Sequence, residues 1–367
     1  NSSSRRIIFN LKKTAFLGRF FYSSHSVNIL TAMRARNFYL LTLLFISFSA
    51  FPNNSVNSDL FDYLLQNNTS SFLISEKGKI VIEKEFEVQK TLNPKSLMFF
   101  NLLRHGFIEG RSQEDVASIQ KSVVSILIGI AQQKGLIDIN KSVTSYIGKW
   151  TELSKEKESL IKIRNLLTMT SGLDVDFNYD SEPGLRWHYN SRAYSQLINV
   201  LERTSSQSIN ELSKEWLFDK LDMQETFWKE RKKGPLGFSK DSAKYGLITT
   251  AQDLLKFGEF ILNGGEVGTN HVISDIDFFD DSFSKSQNLN EAYGYLWWLN
   301  NSKSHIYLTG PGSSNLFPEA PDETILALGL GNRVLAIIPS EEIVLVRLGS
   351  FPKDLNFYNN LWKRLQR

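Results

Sequence analysis

A chain of 367 residues, 41% hydrophobic and 22% charged, has the composition of a globular protein and the length of one large domain or two ordinary ones. A formal net charge of +3 with no dense Lys/Arg stripe gives no footprint for nucleic acid. The absence of cysteine excludes a disulfide framework, a thiolate nucleophile and a Cys-ligated zinc site, and is compatible with an oxidising compartment.

Met33-Arg34-Ala35-Arg36 opens a short basic run, and Phe38 to Phe48 is almost continuously apolar. Ser47, Ser49 and Ala50 then precede the polar Pro52-Asn53-Asn54-Ser55. This is the layout of a secretory signal peptide over residues 33–50, which implies a periplasmic or secreted protein. The apolar run falls short of the about 20 residues of a membrane span, so no stable span is expected after signal removal; an uncleaved anchor is the alternative. Residues 1–32 begin with Asn1 and lie upstream of this segment. They read as a non-native upstream extension, with Met33 as the true start. Peptides from 1–32 in natural material would refute that reading. The folded domain is expected over 53–367.

Within it, two alternating runs flank Glu76-Lys77-Gly78, a β-hairpin signal over 71–86. A helix is expected from about Asp115 to Lys134, with Gly135 as its C-cap. Residues 160–260 are mostly helical in pattern: a helix end at Thr168–Gly172, a helix over Ser191–Thr204 and another over Thr250–Leu262. The stretch 264–292 is polar and uneven and reads as loops. Arg333–Pro339 and Glu342–Gly349 form a second hairpin, and Leu355–Arg367 an amphipathic helix. Strands at both ends can meet in one antiparallel sheet, flanked by helices and with a mostly helical region inserted beside it. The fold class is α+β.

Three segments carry candidate chemistry. In Ser118-Ile119-Gln120-Lys121 the two polar side chains share a helix face. Serine is a poor nucleophile without a base or a charge beside it. A lysine one turn along supplies that role if burial lowers its pKa. Val123, Val124, Ile126, Leu127, Ile128 and Ile130 make the helix apolar nearly all round, hence buried. Asp115 is a reasonable N-cap, which places Ser118 in the first turn, where the helix dipole favours negative charge. The spacing alone is common: Ser154 with Lys157 and Ser282 with Lys285 repeat it, but neither leads into an apolar run. Next, Trp187-His188-Tyr189-Asn190-Ser191 follows a Pro183-Gly184 turn and puts Tyr189 at a loop-to-helix junction. A tyrosine near a lysine ammonium would ionise more easily and act as a base; the bland reading is a half-buried, hydrogen-bonded tyrosine. Finally, Gly329-Leu330-Gly331-Asn332 leads into the strand at Arg333. Glycines there let a substrate backbone approach, and a strand N–H could join that of Ser118 on an oxyanion; alone, the segment is a glycine-rich turn.

Together these segments resemble the serine β-lactamase and penicillin-binding-protein-like hydrolases. The similarity is carried by Asp115 to Tyr146, Ile163 to Leu173, Glu182 to Tyr194, Tyr245 to Gly258, Tyr293 to Trp298 and Gly329 to Gly349, in that order, and spans roughly residues 70–365. The resemblance implies a β-lactamase/DD-peptidase-like fold and an acyl-enzyme mechanism without cofactor or metal. Ser118 would be the acylated nucleophile, Lys121 would lower its proton affinity, and Tyr189 would serve as base and then as acid to the leaving group. The N–H groups of Ser118 and Asn332 would form the oxyanion hole. Two departures narrow the substrate. The Asn of the family's Tyr-x-Asn motif is replaced by Ser191, with Asn190 one place earlier. The cationic Lys-Thr-Gly or His-x-Gly of the edge strand is replaced by Gly329-Leu330-Gly331. A cation there would pair with the carboxylate of a β-lactam or stem peptide. The chain therefore looks more like the esterase and 6-aminohexanoate-dimer hydrolase branch, acting on a small amide or ester. Trp187, Trp297 and Trp298 are candidates for the pocket wall.

The alternatives are a β-lactamase or DD-peptidase, and, in another class, a sensor-like penicillin-binding module that acylates slowly or not at all. No G-x-S-x-G elbow, metal-binding histidine pattern or nucleotide-binding loop is present, and the five histidines are scattered.

Overall fold

Lys77 and Gly78 both have positive φ, 52° and 73°, and this tight turn joins the strands Thr69–Glu76 and Lys79–Glu85 in the expected hairpin. The structure, a computed structural model, describes residues 54–366 apart from 89–91, 235–236, 240 and 308–309. The expected signal segment at 33–50 and the stretch 1–32 lie outside the described residues. A six-stranded antiparallel sheet runs in the spatial order Lys79–Glu85, Thr69–Glu76, Ile343–Gly349, Arg333–Ile338, Ile325–Gly329 and Trp298–Leu299. Strands from the two ends of the domain thus lie side by side, and the helical segments are inserted between them in sequence: an α+β fold. The helix Ala251–Leu262 packs on the central strands, where Gly258 allows close approach: a Cβ there would lie 2.4 Å from Val344 Cγ1.

A second, four-stranded antiparallel sheet, ordered Arg104–Ile108, Arg111–Asp115, Tyr245–Thr250 and Phe227–Glu230, is absent from the sequence-based expectation. Its strands are short, and the pairing that joins its two halves, Gln113–Asp115 with Ile248–Thr250, links segments more than a hundred residues apart, so no local pattern reveals it. It changes the start of the expected helix. Asp115 ends a strand, opposite Ile248, and is not a helix N-cap. Ala117–Ile119 forms a 3-10 turn, and the α-helix runs from Gln120 to Gln133, with Gly135 at φ +72° beyond it. Every residue from Gln120 to Ala131 is buried.

The helix Ser191–Ser205 and the strand pair Arg333–Ile338 and Ile343–Gly349 match expectation to within a residue or two. Within 264–292, expected as loops, Ile276–Ser282 is a helix capped by Asp275. Its Phe278 packs on the Gln120–Gln133 helix at Gly129, where a Cβ would lie 2.6 Å from the ring. Among the described residues no helix is long and apolar enough to cross a membrane.

Candidate active site

The site begins with a tight change of direction. After Asp115, Ala117 adopts φ +52°, a left-handed conformation that strains a non-glycine residue by about 1–3 kcal/mol and must be held by its surroundings. Asp115 Oδ1 accepts the Ala117 N–H at 2.8 Å. Arg231 in turn grips the same carboxylate through Nε to Oδ2 and Nη2 to Oδ1, both 2.7 Å. Ser118 follows in the 3-10 turn, half-exposed, and Lys121 lies one turn on, at 3% exposure.

Lys121 Nζ donates to Ser118 Oγ at 3.0 Å. Its other described neighbours are rings: Nζ lies 4.7 Å from the centre of Tyr189 and 4.9 Å from that of Tyr194. An ammonium surrounded this way has lost water and gained no carboxylate. Burial, with a contribution from the Arg231 guanidinium, lowers Lys121 to about 7. Lysine is therefore available as a neutral amine near neutral pH.

Tyr189 behaves in the opposite sense to the sequence-based expectation. Burial holds its phenol well above the ordinary tyrosine value, and a hydrogen bond with Ser118 offsets only part of this. Burial thus opposes ionisation of the phenol.

The residues after Tyr189 divide in role. Asn190 is 1% exposed and is a helix cap: its Oδ1 accepts the N–H groups of Arg192 and Ala193, and its Nδ2 donates to the carbonyls of Leu173 and Asp174. Its amide is used up in these four bonds, which corrects the expectation that it contacts substrate. Ser191 is the half-buried first residue of the helix.

Of the Gly329–Asn332 segment, Gly329 is the residue that meets the serine turn. A Cβ at that position would sit 2.4 Å from the Val116 carbonyl oxygen and 3.3 Å from Ile119 Cγ1. Gly329 ends its strand rather than starting one, and Leu330-Gly331-Asn332 form the turn that follows. The carbonyls of Gly331 and Asn332 accept from Arg347 Nη1 at 2.6 and 3.0 Å, an anchor shared with Asn67, Thr69 and Ser350.

Aromatic side chains wall the site. Tyr189 stacks on Trp298 (6.1 Å between centres) and meets Tyr293 edge-on at 6.4 Å. Trp187 packs against Tyr189, Tyr293 and Trp298, and Tyr307 against Trp298. Trp297, expected in this wall, is instead fully buried between Phe257 and Phe283. Leu296 at φ +63° turns the chain, and successive side chains then face opposite sides, so Trp297 enters the core and Trp298 the wall. Tyr293, Tyr307, Tyr194 and Arg231 have no site role in the sequence-based reading; Tyr293, inside the YGYLWW segment, and Tyr194, at the end of the Glu182–Tyr194 segment, had a local signal. Among the described residues no His/Asp/Glu cluster could hold a metal ion.

An antiparallel sheet built from both ends of the domain, with helices inserted beside it, defines the β-lactamase/DD-peptidase-like class of fold. The chain belongs to the β-lactamase family, whose model it matches over residues 69–363, and so to a family of hydrolases. It is similar to an uncharacterised protein of Alkalihalophilus pseudofirmus, 25% identical over 280 residues that cover 70% of this chain and 80% of that one. Among solved structures it is similar to a Bacteroides dorei protein provisionally named a β-lactamase, with a TM-score of 0.64, 15% identity, and 86% of this chain and 98% of that one covered. It is also similar to a Bacillus anthracis protein provisionally named a 6-aminohexanoate-dimer hydrolase, with a TM-score of 0.59, 18% identity, and 84% and 80% covered.

Proposed function

We propose that the protein is a serine hydrolase that forms an acyl-enzyme on Ser118 and cleaves a small, uncharged amide or ester. The observation that carries this reading is the 3.0 Å contact between Ser118 Oγ and a buried Lys121 lowered to about 7. Neutral Lys121 takes the serine proton as Oγ attacks the carbonyl carbon. The Ser118 N–H, with a backbone donor from the Gly329–Asn332 segment, stabilises the oxyanion. The neutral Tyr189 phenol, hydrogen-bonded to Ser118, hands a proton to the departing amine or alkoxide and is re-protonated from Lys121. Lys121, neutral again, activates the water that releases the acid.

Two features favour an uncharged substrate. The strand Ile325–Gly329 carries no cation to pair with a substrate carboxylate, and the wall beside Tyr189 is aromatic. The proposed place of action, the periplasm or the exterior, rests on residues 33–50 alone.

The test is intact-mass analysis after a fluorophosphonate probe, beside Ser118→Ala. One adduct that disappears in the variant is expected, followed by turnover of short esters and amides. An adduct that survives Ser118→Ala would overturn the mechanism. A single permanent acylation without turnover would favour a sensor-like binding module.

A further inference from the structure

We infer that Arg231, remote in sequence from the serine, is a positioning residue for the proposed reaction: through Asp115 it holds the strained turn that presents Ser118 to Lys121. The inference rests on the reading of Ser118 as nucleophile.

The geometry is specific. Arg231 follows the strand Phe227–Glu230, and its side chain is 8% exposed. Its fork closes on both oxygens of Asp115 at 2.7 Å, the bidentate form that fixes orientation as well as distance. Asp115 Oδ1 is thereby aimed at the Ala117 N–H, in the residue whose left-handed backbone sets the direction of Ser118. Arg231 Nη2 also reaches Gln120 Oε1 at 3.3 Å, and that oxygen accepts the Leu247 N–H at 3.1 Å, tying the helix start to the second sheet. Phe238 covers the guanidinium at 4.8 Å. The second sheet has a place reserved for the pair: a Cβ on Gly246 would fall 2.1 Å from Asp115 Oδ2 and 2.9 Å from Arg231 Nε. A salt bridge built only for stability needs neither a glycine cut-out nor an acceptor shared with a strained N–H.

Arg231 acts on Lys121 by a second route. The titratable or charged groups around the Lys121 ammonium are Ser118, Tyr189 and Tyr194 at contact, Arg231 with its partner Asp115, and Tyr293 behind the two tyrosines. Arg231 is the positive one, and it disfavours a second positive charge. Removing it makes Lys121 easier to protonate, and the exposed Asp115 carboxylate acts in the same direction.

The experiment is the rate of Ser118 labelling by a fluorophosphonate across pH 5–10, on the whole protein and three variants. Arg231→Met is expected to slow labelling at all pH values and to move the midpoint of the acid limb up by about half to one pH unit. Arg231→Lys keeps the charge and loses the fork, so the plateau falls and the midpoint stays. Gly246→Ala dislodges the pair without removing a charge, and is expected to lower the plateau about tenfold. If Arg231→Met does not fold, an unchanged plateau per folded molecule in the other two variants still overturns the inference. Midpoint and plateau unchanged in the folded variants, or a plateau loss in folded Arg231→Met with no shift in midpoint, would overturn it. Failure of the unaltered protein to label at Ser118 would instead overturn the proposed function.

Discussion

Two cations lie buried within a short reach of the same strand, and they are treated in opposite ways. Arg333 is wholly buried and is matched: Nε and Nη2 bond Glu114 Oε2, and Glu114 also accepts the hydroxyls of Ser70 and Ser112. Lys121, seven residues beyond Glu114, is buried against a hydroxyl and two aromatic rings. A cation matched by a carboxylate serves as structure. An unmatched one, as Lys121 is, gives up its proton more readily. The difference lies in the partner rather than in the depth of burial.

The comparison can be broken most sharply at Lys121. Lys121→Met is expected to lower kcat/KM by about a thousandfold or more on any ester that the natural protein turns over. The same change is expected to raise thermal stability. In the folded chain Lys121 sits at about 7 against an ordinary 10.5, so between these values the unfolded chain holds a proton that the folded one has released. Stability of the natural protein therefore rises with pH across that window, and the burial cost is complete below it. The advantage of Lys121→Met in melting experiments should be largest below pH 7 and fade toward pH 10. A loss of stability at all pH values would show that the lysine is structural.

Arg333→Met should do the reverse. It leaves Glu114 buried and unpaired, at a cost of about 3–5 kcal/mol in denaturant unfolding. Activity per folded molecule should change little; a large fall in kcat in well-folded material would undo the contrast.

Tyr189→Phe is expected to lower kcat by about ten- to a hundredfold while leaving the acid limb of the pH profile in place, because the phenol is neutral throughout. Loss of that limb in the variant would return the base role to the tyrosine.

The smallest effect is expected at Glu85, on the structural side of the comparison. Burial raises it to about 7, against hydrogen bonds from Ser71 and Ser112 that pull it down. Between 4.5 and 7 the folded chain holds a proton that the unfolded chain has lost, so stability falls as pH rises through that window. Glu85→Gln should flatten this fall and gain on the natural protein above pH 7. Parallel melting curves for the two would exclude the effect.

The half of the site built from local chemistry was readable in the sequence. Ser118 and Lys121 stood out because a lysine precedes a helix that is apolar nearly all round, and the terminal hairpins because their alternation is bounded by turn residues. The rest depends on contacts between distant segments. Arg231 looked like any charge in a basic run, and its meaning appears only where a strand brings it to Asp115, 116 positions away. Asn190 and Trp297 were misplaced for a related reason. Whether an amide caps a helix or meets a ligand, and whether an indole enters the core or the wall, turns on backbone direction, here set by Leu296 at φ +63°.

The contact of Gly329 with the Val116 carbonyl also bears on when the serine becomes reactive. The nucleophile turn is closed by a strand synthesised some two hundred residues after it. On the proposed mechanism, a nascent or truncated chain that lacks this strand is expected to leave the Ser118 turn unsupported and the serine slow to react. Reactivity would then be a property of the finished domain, and fragments that carry the same residues in the same order are expected to be chemically quiet.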